Sequence, residues 1–263
     1  MLTKRLLTSA VALPVLFLGI WYGDPWFTAI VAGAVVAGLI EFYGMAGEST
    51  TNTLAVFGIA MGVLFVVDAR GGSPSTAALM TSVAVFSLVL LIVQRRGVDV
   101  AFGWAWTVAG VIYLGWMLSR AVLLRQVDDG RGWIMVAVLG TFAVDTAAFF
   151  SGQIWGKYRL APSISPNKTW EGAIGGFLVG MPVVISLAIL FNIPAKSWQV
   201  VLLGALVGIF AQLGDLAESA LKRSTGVKDA GRLLPGHGGF LDRLDSLIFS
   251  VVVVYYFVQW VIK

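Results

Sequence analysis

The feature that most constrains this chain is a succession of apolar stretches, each long enough or nearly long enough to cross a lipid bilayer. About 20 consecutive apolar residues form a membrane-spanning helix. Nine such stretches, of which the third is short, lie at approximately residues 6–22, 26–46, 53–68, 76–94, 99–118, 133–151, 171–191, 199–221 and 246–262. Because the connections are mostly brief, the sequence predicts an all-α fold, a polytopic membrane helical bundle of about nine transmembrane helices.

Composition agrees with a membrane protein. Of the 263 residues, 58% are hydrophobic and 12% are charged, whereas soluble domains are about a quarter charged. The absence of cysteine excludes a disulfide framework and a thiolate metal site. The first stretch resembles a signal peptide but is longer and has no small-residue cleavage site, so we expect a retained span. We treat 1–263 as one transmembrane domain, with scaffold spans in 1–132 and catalytic spans and cytoplasmic loops in 133–263.

Charged residues concentrate between Asp215 and Asp245. This stretch holds five of the fourteen acids, five of the eighteen bases and the single histidine. If residues 200–221 are helical, four polar side chains share one face of the helix: Asp215, Glu218, Ser219 and Lys222. A basic cytoplasmic loop with paired charges is the alternative interpretation. Carboxylates inside an apolar span are costly and usually functional, which favours a site.

The segment after this helix is rich in glycine. Gly226, Gly231 and Pro235-Gly236 interrupt it, and His237-Gly238-Gly239 lets backbone N–H groups approach a phosphate closely. A loop of this composition predicts an anion-binding segment.

Two acids open the last apolar run. Asp242 and Asp245 are three residues apart, so we expect them on one helical face, with Arg243 between them. Together with Asp215 from the preceding helix, either acid suits a hard divalent cation such as Mg²⁺, which takes oxygen ligands. Five bases are expected to meet the anionic remainder of the substrate: Lys222, Arg223, Lys228, Arg232 and Arg243.

A second polar segment surrounds the connection between the sixth and seventh stretches. Asp145 lies at membrane depth, and the loop before the next helix carries Ser165, Asn167, Lys168 and Thr169. The residues support two interpretations equally: a phosphate-binding loop at a helix start, or an N-cap formed by Thr169 or Ser165. The neighbouring Gly152-x-x-x-Gly156-Lys157 is not a phosphate-loop motif, since the spacing is one residue short and no Ser or Thr follows the lysine.

Both segments resemble the phosphatidate cytidylyltransferases, the CDP-diacylglycerol synthases. The resemblance rests on Ser219-x-Leu221-Lys222-Arg223, Lys228-Asp229-x-Gly231, Leu234-Pro235-x-His237-Gly238-Gly239-Phe240-x-Asp242-Arg243-Leu244-Asp245, Ser165-Pro166-x-Lys168-Thr169-x-Glu171-Gly172 and Asp145-Thr146-x-Ala148. It covers roughly residues 141–246, while the first five stretches match only in hydropathy. It also favours phosphate binding by the second segment.

The resemblance implies that CTP and phosphatidate form CDP-diacylglycerol and pyrophosphate. Mg²⁺ is the implied cofactor, and a second, monovalent cation such as K⁺ is left open. The implied catalytic residues are Asp215, Lys222, Lys228, Asp229, His237, Asp242 and Asp245. The implied substrate-binding residues are Ser165, Asn167, Lys168, Thr169, Ser219, Arg223, Gly238, Gly239 and Arg243. The implied metal ligands are Asp215, Asp242, Asp245 and Asp145. The alternative for His237 is a purely structural role in a turn. The family implies a homodimer in the lipid bilayer, and no nucleic-acid partner is expected.

The distribution of bases predicts the orientation. With nine spans and the N-terminus inside, twelve of the eighteen Lys and Arg residues fall on the cytoplasmic side. This predicts a cytoplasmic site in a bacterial inner membrane. The main exception is the predicted outer loop from Arg120 to Arg131.

Two questions stay open in the sequence. Glu41, near the cytoplasmic end of the second stretch, either extends to the membrane interface or has a role in packing or near the site. Two other functions are compatible with the acids in the spans: an ion-coupled secondary transporter, and a CTP-dependent membrane lipid kinase, which would release CDP.

Overall fold

The computed structural model describes residues 2–47, 52–72, 75–94, 100–233 and 238–263, with backbone alone for the helical residues 2–9, 93–94 and 100. The α-helices are α1 (Leu2–Tyr22), α2 (Trp26–Met45), α3 (Thr53–Ala69), α4 (Thr76–Gln94), α5 (Val100–Gly110), α6 (Met117–Gln126), α7 (Gly130–Trp155), α8 (Trp170–Leu190), α9 (Ser197–Ser224) and α10 (Asp245–Phe257). The π-helical stretch Val111–Trp116 joins α5 to α6, and a second, Val258–Ile262, extends α10. Leu241–Arg243 forms a 3-10 turn.

The predicted membrane fold is confirmed. Among the described residues, six helical segments are long and apolar enough to cross a membrane, and Ala10–Tyr22, Thr53–Ala69 and Thr76–Ile92 are shorter apolar helices. These segments coincide with the nine predicted stretches. The protein is therefore a polytopic helical membrane protein.

The fifth span is longer than predicted, and the expected loop from Arg120 to Arg131 is wrong over its first half. The helix continues through α6 to Gln126. Arg120 is buried there, with Nε donating to the Trp116 carbonyl at 3.3 Å and Nη2 donating to Ser119 Oγ at 3.2 Å. Its guanidinium also lies 5.1 Å from the centroid of the Trp116 ring. Because neighbours on the same helix satisfy this cation, a basic residue does not end the span.

The chain divides into two compact units. One contains Met1–Leu123 with Asp229–Asp242, and the other contains Leu124–Lys228 with Arg243–Lys263. The glycine-rich segment therefore groups with the early spans, which the sequence division at residue 132 did not anticipate.

In the first unit, close packing fixes the C-terminal turns of α2. The Phe42 ring stacks on Trp106 with centroids 4.6 Å apart, and Trp106 Nε1 donates to the Phe42 carbonyl at 2.8 Å. The Tyr43 hydroxyl donates to the Thr107 carbonyl at 3.1 Å. Since Glu41 lies next to these anchored residues, its backbone is held in place.

In the second unit, α7 packs on α8, α8 on α9, and α9 on α10. An antiparallel hairpin of β1 (Arg159–Ala161) and β2 (Ser165–Thr169) joins α7 to α8, with Arg159 opposite Thr169 and Ala161 opposite Ser165. The sequence predicted a loop here, and short strands of this kind have too few residues to show an alternating pattern.

Thr169 begins helix α8. Its hydroxyl accepts a hydrogen bond from the Gly172 N–H at 3.1 Å, which is the geometry of an N-cap. The N-cap interpretation is therefore confirmed for Thr169, whereas Ser165 lies four residues earlier in β2.

Candidate active site

A cavity of about 490 Å³ lies among α7, the hairpin, α8 and α9 of the second unit. Its polar lining consists of Asp145, Gln153, Arg159, Asn167, Lys168, Thr169, Gln212 and Asp215. Gly152 and Gly172 also border it, which keeps backbone rather than side chains at part of its wall. The cavity therefore combines acids, bases and neutral hydrogen-bonding groups in one concave space, as expected of a ligand site.

An ion pair connects two walls of this cavity. Lys168 Nζ from β2 lies 2.7 Å from Asp215 Oδ2 on α9. The two side chains keep 23% and 35% of their surface exposed. The Lys168 Nζ atom itself is buried, whereas Asp215 keeps the larger exposed fraction, so an incoming cation can replace Lys168 at Asp215.

Two further acids extend this charged group. Asp245, the first residue of α10, has Asp215, Glu218 and Asp145 as negatively charged neighbours. The Asp245 carboxylate accepts from the Ser246 N–H at 2.7 Å, and the Ser246 hydroxyl donates to Asp145 Oδ1 at 3.2 Å. The start of α10 thus connects two of the predicted acids through one serine.

The predicted polar face of α9 is confirmed. The Ser219 hydroxyl donates to Asp215 Oδ1 at 3.4 Å, and Lys222 Nζ lies 2.5 Å from Glu218 Oε2. Glu218 and Lys222 are both buried. Lys222, which was predicted to bind phosphate, therefore forms a buried ion pair with Glu218, and it lies about two helical turns beyond Asp215.

Arg223 holds the hairpin to the end of α9. Its Nε donates to the Ile164 carbonyl at 3.1 Å, and its Nη1 donates to the Val227 carbonyl at 2.8 Å. From Asp215 to Arg223 a helix rises about 12 Å, and from Lys168 back to Ile164 a strand covers about 13 Å. Since the two distances match, α9 holds the strand at both points, which fixes the position of Lys168.

The remaining predicted residues near the glycine-rich segment belong to the first unit. Asp242 Oδ2 accepts from the Ala230 N–H at 3.2 Å and from the Gly239 N–H at 3.1 Å. Gly238 has a φ of +84°, a value that favours glycine. Asp229 is exposed. His237 lies outside the described residues.

The expectation that Asp242 and Asp245 share one helical face is wrong. Helix α10 begins at Asp245, whereas Asp242 lies in the 3-10 turn Leu241–Arg243. The reason is visible in the bonds of Asp242, which accepts two loop N–H groups instead of extending the helix backwards. Lys228 and Arg243, at the boundaries of the second unit, are exposed.

Glu41, a residue of α2, binds the same loop of the first unit. Its Oε1 accepts from the Leu233 N–H at 3.1 Å, and its Oε2 accepts from the Leu241 N–H at 2.9 Å. With 4% of its surface exposed, Glu41 does not extend to the interface. The packing alternative for this residue is therefore confirmed.

The acids of the cavity have the chemistry that Mg²⁺ prefers. Within the described part of the chain, no three acid or histidine side chains form a group that could hold a metal ion by themselves. Mg²⁺ usually keeps several waters and binds through one or two carboxylates together with substrate phosphates. Asp145 and Asp215, which both line the cavity, are sufficient for such a site, and the metal assignment stays a prediction.

Comparison with known proteins gives the family. The model of the Cytidylyltransferase family matches residues 3–261. The chain belongs to the cytidylyltransferase family.

Relatives agree over nearly the whole length. Proteins named phosphatidate cytidylyltransferase are 37% identical in Brucella suis, over 97% of this chain and 93% of the relative, and 32% identical in Pseudomonas aeruginosa, over 96% and 95%. One from Bacillus subtilis is 30% identical over 96% of both chains. The resemblance to this family is confirmed, and it extends to the first five spans, which the motifs did not cover.

The cavity of this cytidylyltransferase-family protein brings together five of the predicted residues: Asp145, Asn167, Lys168, Thr169 and Asp215. It also contains three polar residues that sequence reasoning missed: Gln153, Arg159 and Gln212. Arg159 is one of the twelve bases predicted on the cytoplasmic side, and it lines the same cavity as Lys168 from the other strand of the hairpin. Gln212 carried a signal, since it lies three residues before Asp215 on the polar face of α9.

Proposed function

We propose that this protein transfers the cytidylyl group of CTP to phosphatidate, forming CDP-diacylglycerol and pyrophosphate. The family assignment and the names of the near full-length relatives support this reaction. The observation that carries it in the molecule is the cavity, where Lys168 and Arg159 lie beside Asp145 and Asp215. A site for two polyanions and a divalent cation needs both signs of charge in one place.

The bonds of the reaction define what the protein must do. A phosphate oxygen of phosphatidate attacks the α-phosphorus of CTP, the bond from that phosphorus to the bridging oxygen of the β-phosphate breaks, and pyrophosphate leaves. A phosphomonoester has a second pKa of about 6, so the attacking oxygen is already ionised near neutral pH and needs no strong base. The protein's task is alignment of the substrates and compensation of their charge.

Several residues are suited to this task. Lys168 and Arg159 bind phosphate oxygens from the hairpin, and Asn167 contributes a neutral hydrogen bond. The Thr169 hydroxyl maintains the start of α8 by accepting the Gly172 N–H. Gly238 and Gly239 are proposed substrate-binding residues because they carry no side chain, and the Gly239 N–H is donated to Asp242 Oδ2 at 3.1 Å.

Asp145 and Asp215 would hold Mg²⁺, with Asp245 close enough to add its charge. When bound, the metal offsets the negative charge of the phosphates and orients the reacting oxygens. Asp242 is a weaker candidate ligand, because its Oδ2 already accepts two backbone N–H groups.

The membrane setting completes the proposal. The N-terminus and the cavity face the cytoplasm, where CTP is available, and phosphatidate enters laterally from the bilayer. The protein acts as a homodimer, as the family resemblance implies, and the presence of a second, monovalent cation such as K⁺ beside Mg²⁺ stays open.

The deciding experiment uses purified protein in detergent with phosphatidate, CTP labelled in its α-phosphate, and Mg²⁺. We expect label in the lipid fraction together with free pyrophosphate, and loss of both when a chelator is added. Label remaining in CDP would indicate a lipid kinase. Absence of any reaction in folded protein, followed by solute flux in liposomes, would indicate a transporter.

Substitution of Asp215 tests the site within the same assay. Asp215→Asn keeps the size of the side chain but removes its charge, so we expect a loss of at least about 100-fold in kcat/KM. Asp128→Asn, at an exposed acid between α6 and α7, is the matched control and should keep full activity. Near wild-type turnover by Asp215→Asn would remove Asp215 from the site.

A further inference from the structure

The glycine-rich segment has two described stems, residues 229–233 and 238–242, and Glu41 joins them. One oxygen of its carboxylate accepts the Leu233 N–H at 3.1 Å and the other accepts the Leu241 N–H at 2.9 Å. These partners lie 192 and 200 positions further along the chain. A single buried side chain on α2 therefore fixes the spacing of the two stems.

Asp242 makes a second connection of the same kind. It accepts the Ala230 N–H from the first stem and the Gly239 N–H from its own stem. Because a buried backbone N–H without a partner is costly, each carboxylate favours the joined arrangement. Two acids from distant parts of the chain thus stabilise one conformation of the stems.

Gly231 leaves room for the Glu41 side chain in the glycine-rich segment. The three atoms nearest to a Cβ placed on Gly231 all belong to the Glu41 side chain, at distances that no real Cβ adopts. Its φ is not positive, so backbone conformation does not require glycine here. Gly231 is therefore small because the Glu41 carboxyl group occupies the space.

We propose that Glu41 is a positioning residue for cytidylyl transfer, which holds the stems so that Gly238, Gly239 and Asp242 are in their working arrangement. This inference rests on the proposed function. Glu41 acts through the backbone of the stems and touches neither substrate. The carboxylate suits this role because it has two acceptor oxygens and no donor.

The test compares Glu41→Gln, Glu41→Ala, Gly231→Ala and the double variant Glu41→Ala/Gly231→Ala. The amide of Glu41→Gln can accept only one of the two N–H groups, since its other end is a donor. Gly231→Ala must displace the same carboxyl group. Gly33→Ala on α2 is the control, because nothing lies within 4 Å of its added Cβ.

Three quantities are measured on the purified protein: kcat and KM for CTP, amide hydrogen exchange at Leu233 and Leu241, and the melting temperature. We expect Glu41→Gln and Gly231→Ala each to lower kcat by about tenfold to 100-fold. Exchange at the two amides should accelerate while amides of α8 and α9 keep their rates. The double variant should lose no more activity than Glu41→Ala alone, because both changes remove the same connection.

Each other outcome overturns the inference. Unchanged exchange at both amides would show that Glu41 does not hold the stems, even if kcat falls. Faster exchange with unchanged kcat would show that the stems need no such positioning. Additive losses in the double variant would assign Gly231 a separate role. If the wild-type protein transfers no cytidylyl group, the proposed function fails, while the exchange data still report the connection.

Discussion

At the residue scale, the ion pair between Lys168 and Asp215 is expected to matter more for activity than for the stability of the fold. Both side chains keep part of their surface exposed, but the Lys168 Nζ atom is buried, so the pair is intermediate between a surface ion pair, which contributes about 0–1 kcal/mol to folding, and a fully buried one. Removing the cation should leave less positive charge to offset the repulsion among Asp215, Asp145 and Asp245, and should deprive the substrate phosphates of a partner. The pair therefore belongs to the chemistry of the cavity more than to its stability.

We expect Lys168→Gln to lower kcat/KM by about 100-fold, with a melting temperature within about 4 °C of wild type. Initial rates over a range of CTP concentrations and a thermal scan in detergent measure both. Lys157→Gln, at an exposed lysine just before the same hairpin, should match wild type in both. A large loss of stability with proportionate loss of activity would contradict this role for Lys168.

Residue type and spacing predict part of this site. Asp215, Ser219 and Lys222 could be placed together because a helix brings residues at intervals of three and four onto one face. Glu41 could not be placed against Leu233 and Leu241, since backbone N–H groups carry no sequence signal and the partners lie about 200 positions apart. Arg223 was assigned to phosphate for its charge, whereas its described bonds go to two backbone carbonyls.

At the element scale, small residues bring α7 and α8 into contact. A Cβ on Gly172 would lie 2.9 Å from the Ala148 carbonyl oxygen, and one on Gly176 would lie 2.8 Å from Ala148 Cβ and 3.1 Å from the Val144 carbonyl oxygen. Gly180 meets Val144 in the same way. The interval of four residues places these glycines on one face, as in other close contacts between membrane helices. This contact determines where Asp145 lies relative to the hairpin.

Gly176→Ala should destabilise the protein by about 1–3 kcal/mol, because the added methyl group meets backbone as well as a side chain. Gly33→Ala should leave stability unchanged or slightly raised, since alanine is the better helix former and its methyl group meets no neighbour. Chemical or thermal unfolding of both variants in one detergent measures the difference. Equal stability of the two variants would show that α7 and α8 separate easily at this contact.

Elements were predicted best where apolar length alone determines them. The bounds of α2, α3, α4 and α9 agree with the apolar stretches to within a few residues, because hydrophobicity reports burial in lipid directly. Length fails for α5 and α6, because the apolar stretch ends before Arg120 whereas the helix continues to Gln126. It gave no sign of the hairpin, whose strands have three and five residues.

At the scale of the whole molecule, the orientation in the membrane decides whether the cavity can meet CTP. The cytoplasmic N-terminus is a prediction from the positive-inside rule. Of the bases of the expected outer loop, Arg120 is buried in the helix that continues from α5 to α6, and Arg125 lies in its last turn.

Helix α9 allows a direct test of this orientation. With 28 residues it is about 42 Å long, which exceeds the hydrocarbon core of about 30 Å. Ser197 and Ser224 are its first and last residues, and both are exposed. The chain has no cysteine, so Ser197→Cys and Ser224→Cys each introduce one nearly isosteric thiol into an otherwise unreactive background.

In right-side-out membrane vesicles, a membrane-impermeant maleimide should label Ser197→Cys and should label Ser224→Cys only after detergent is added. Inverted vesicles should give the opposite pattern, and both variants should keep cytidylyl transfer activity because neither serine lines the cavity. Arg223, which binds the hairpin, lies beside Ser224. Labelling at that end of α9 therefore reports on which side of the membrane the hairpin and Lys168 lie. Labelling of Ser224→Cys from outside would place the cavity away from the nucleotide pool, and would therefore contradict the proposed reaction as well as the orientation.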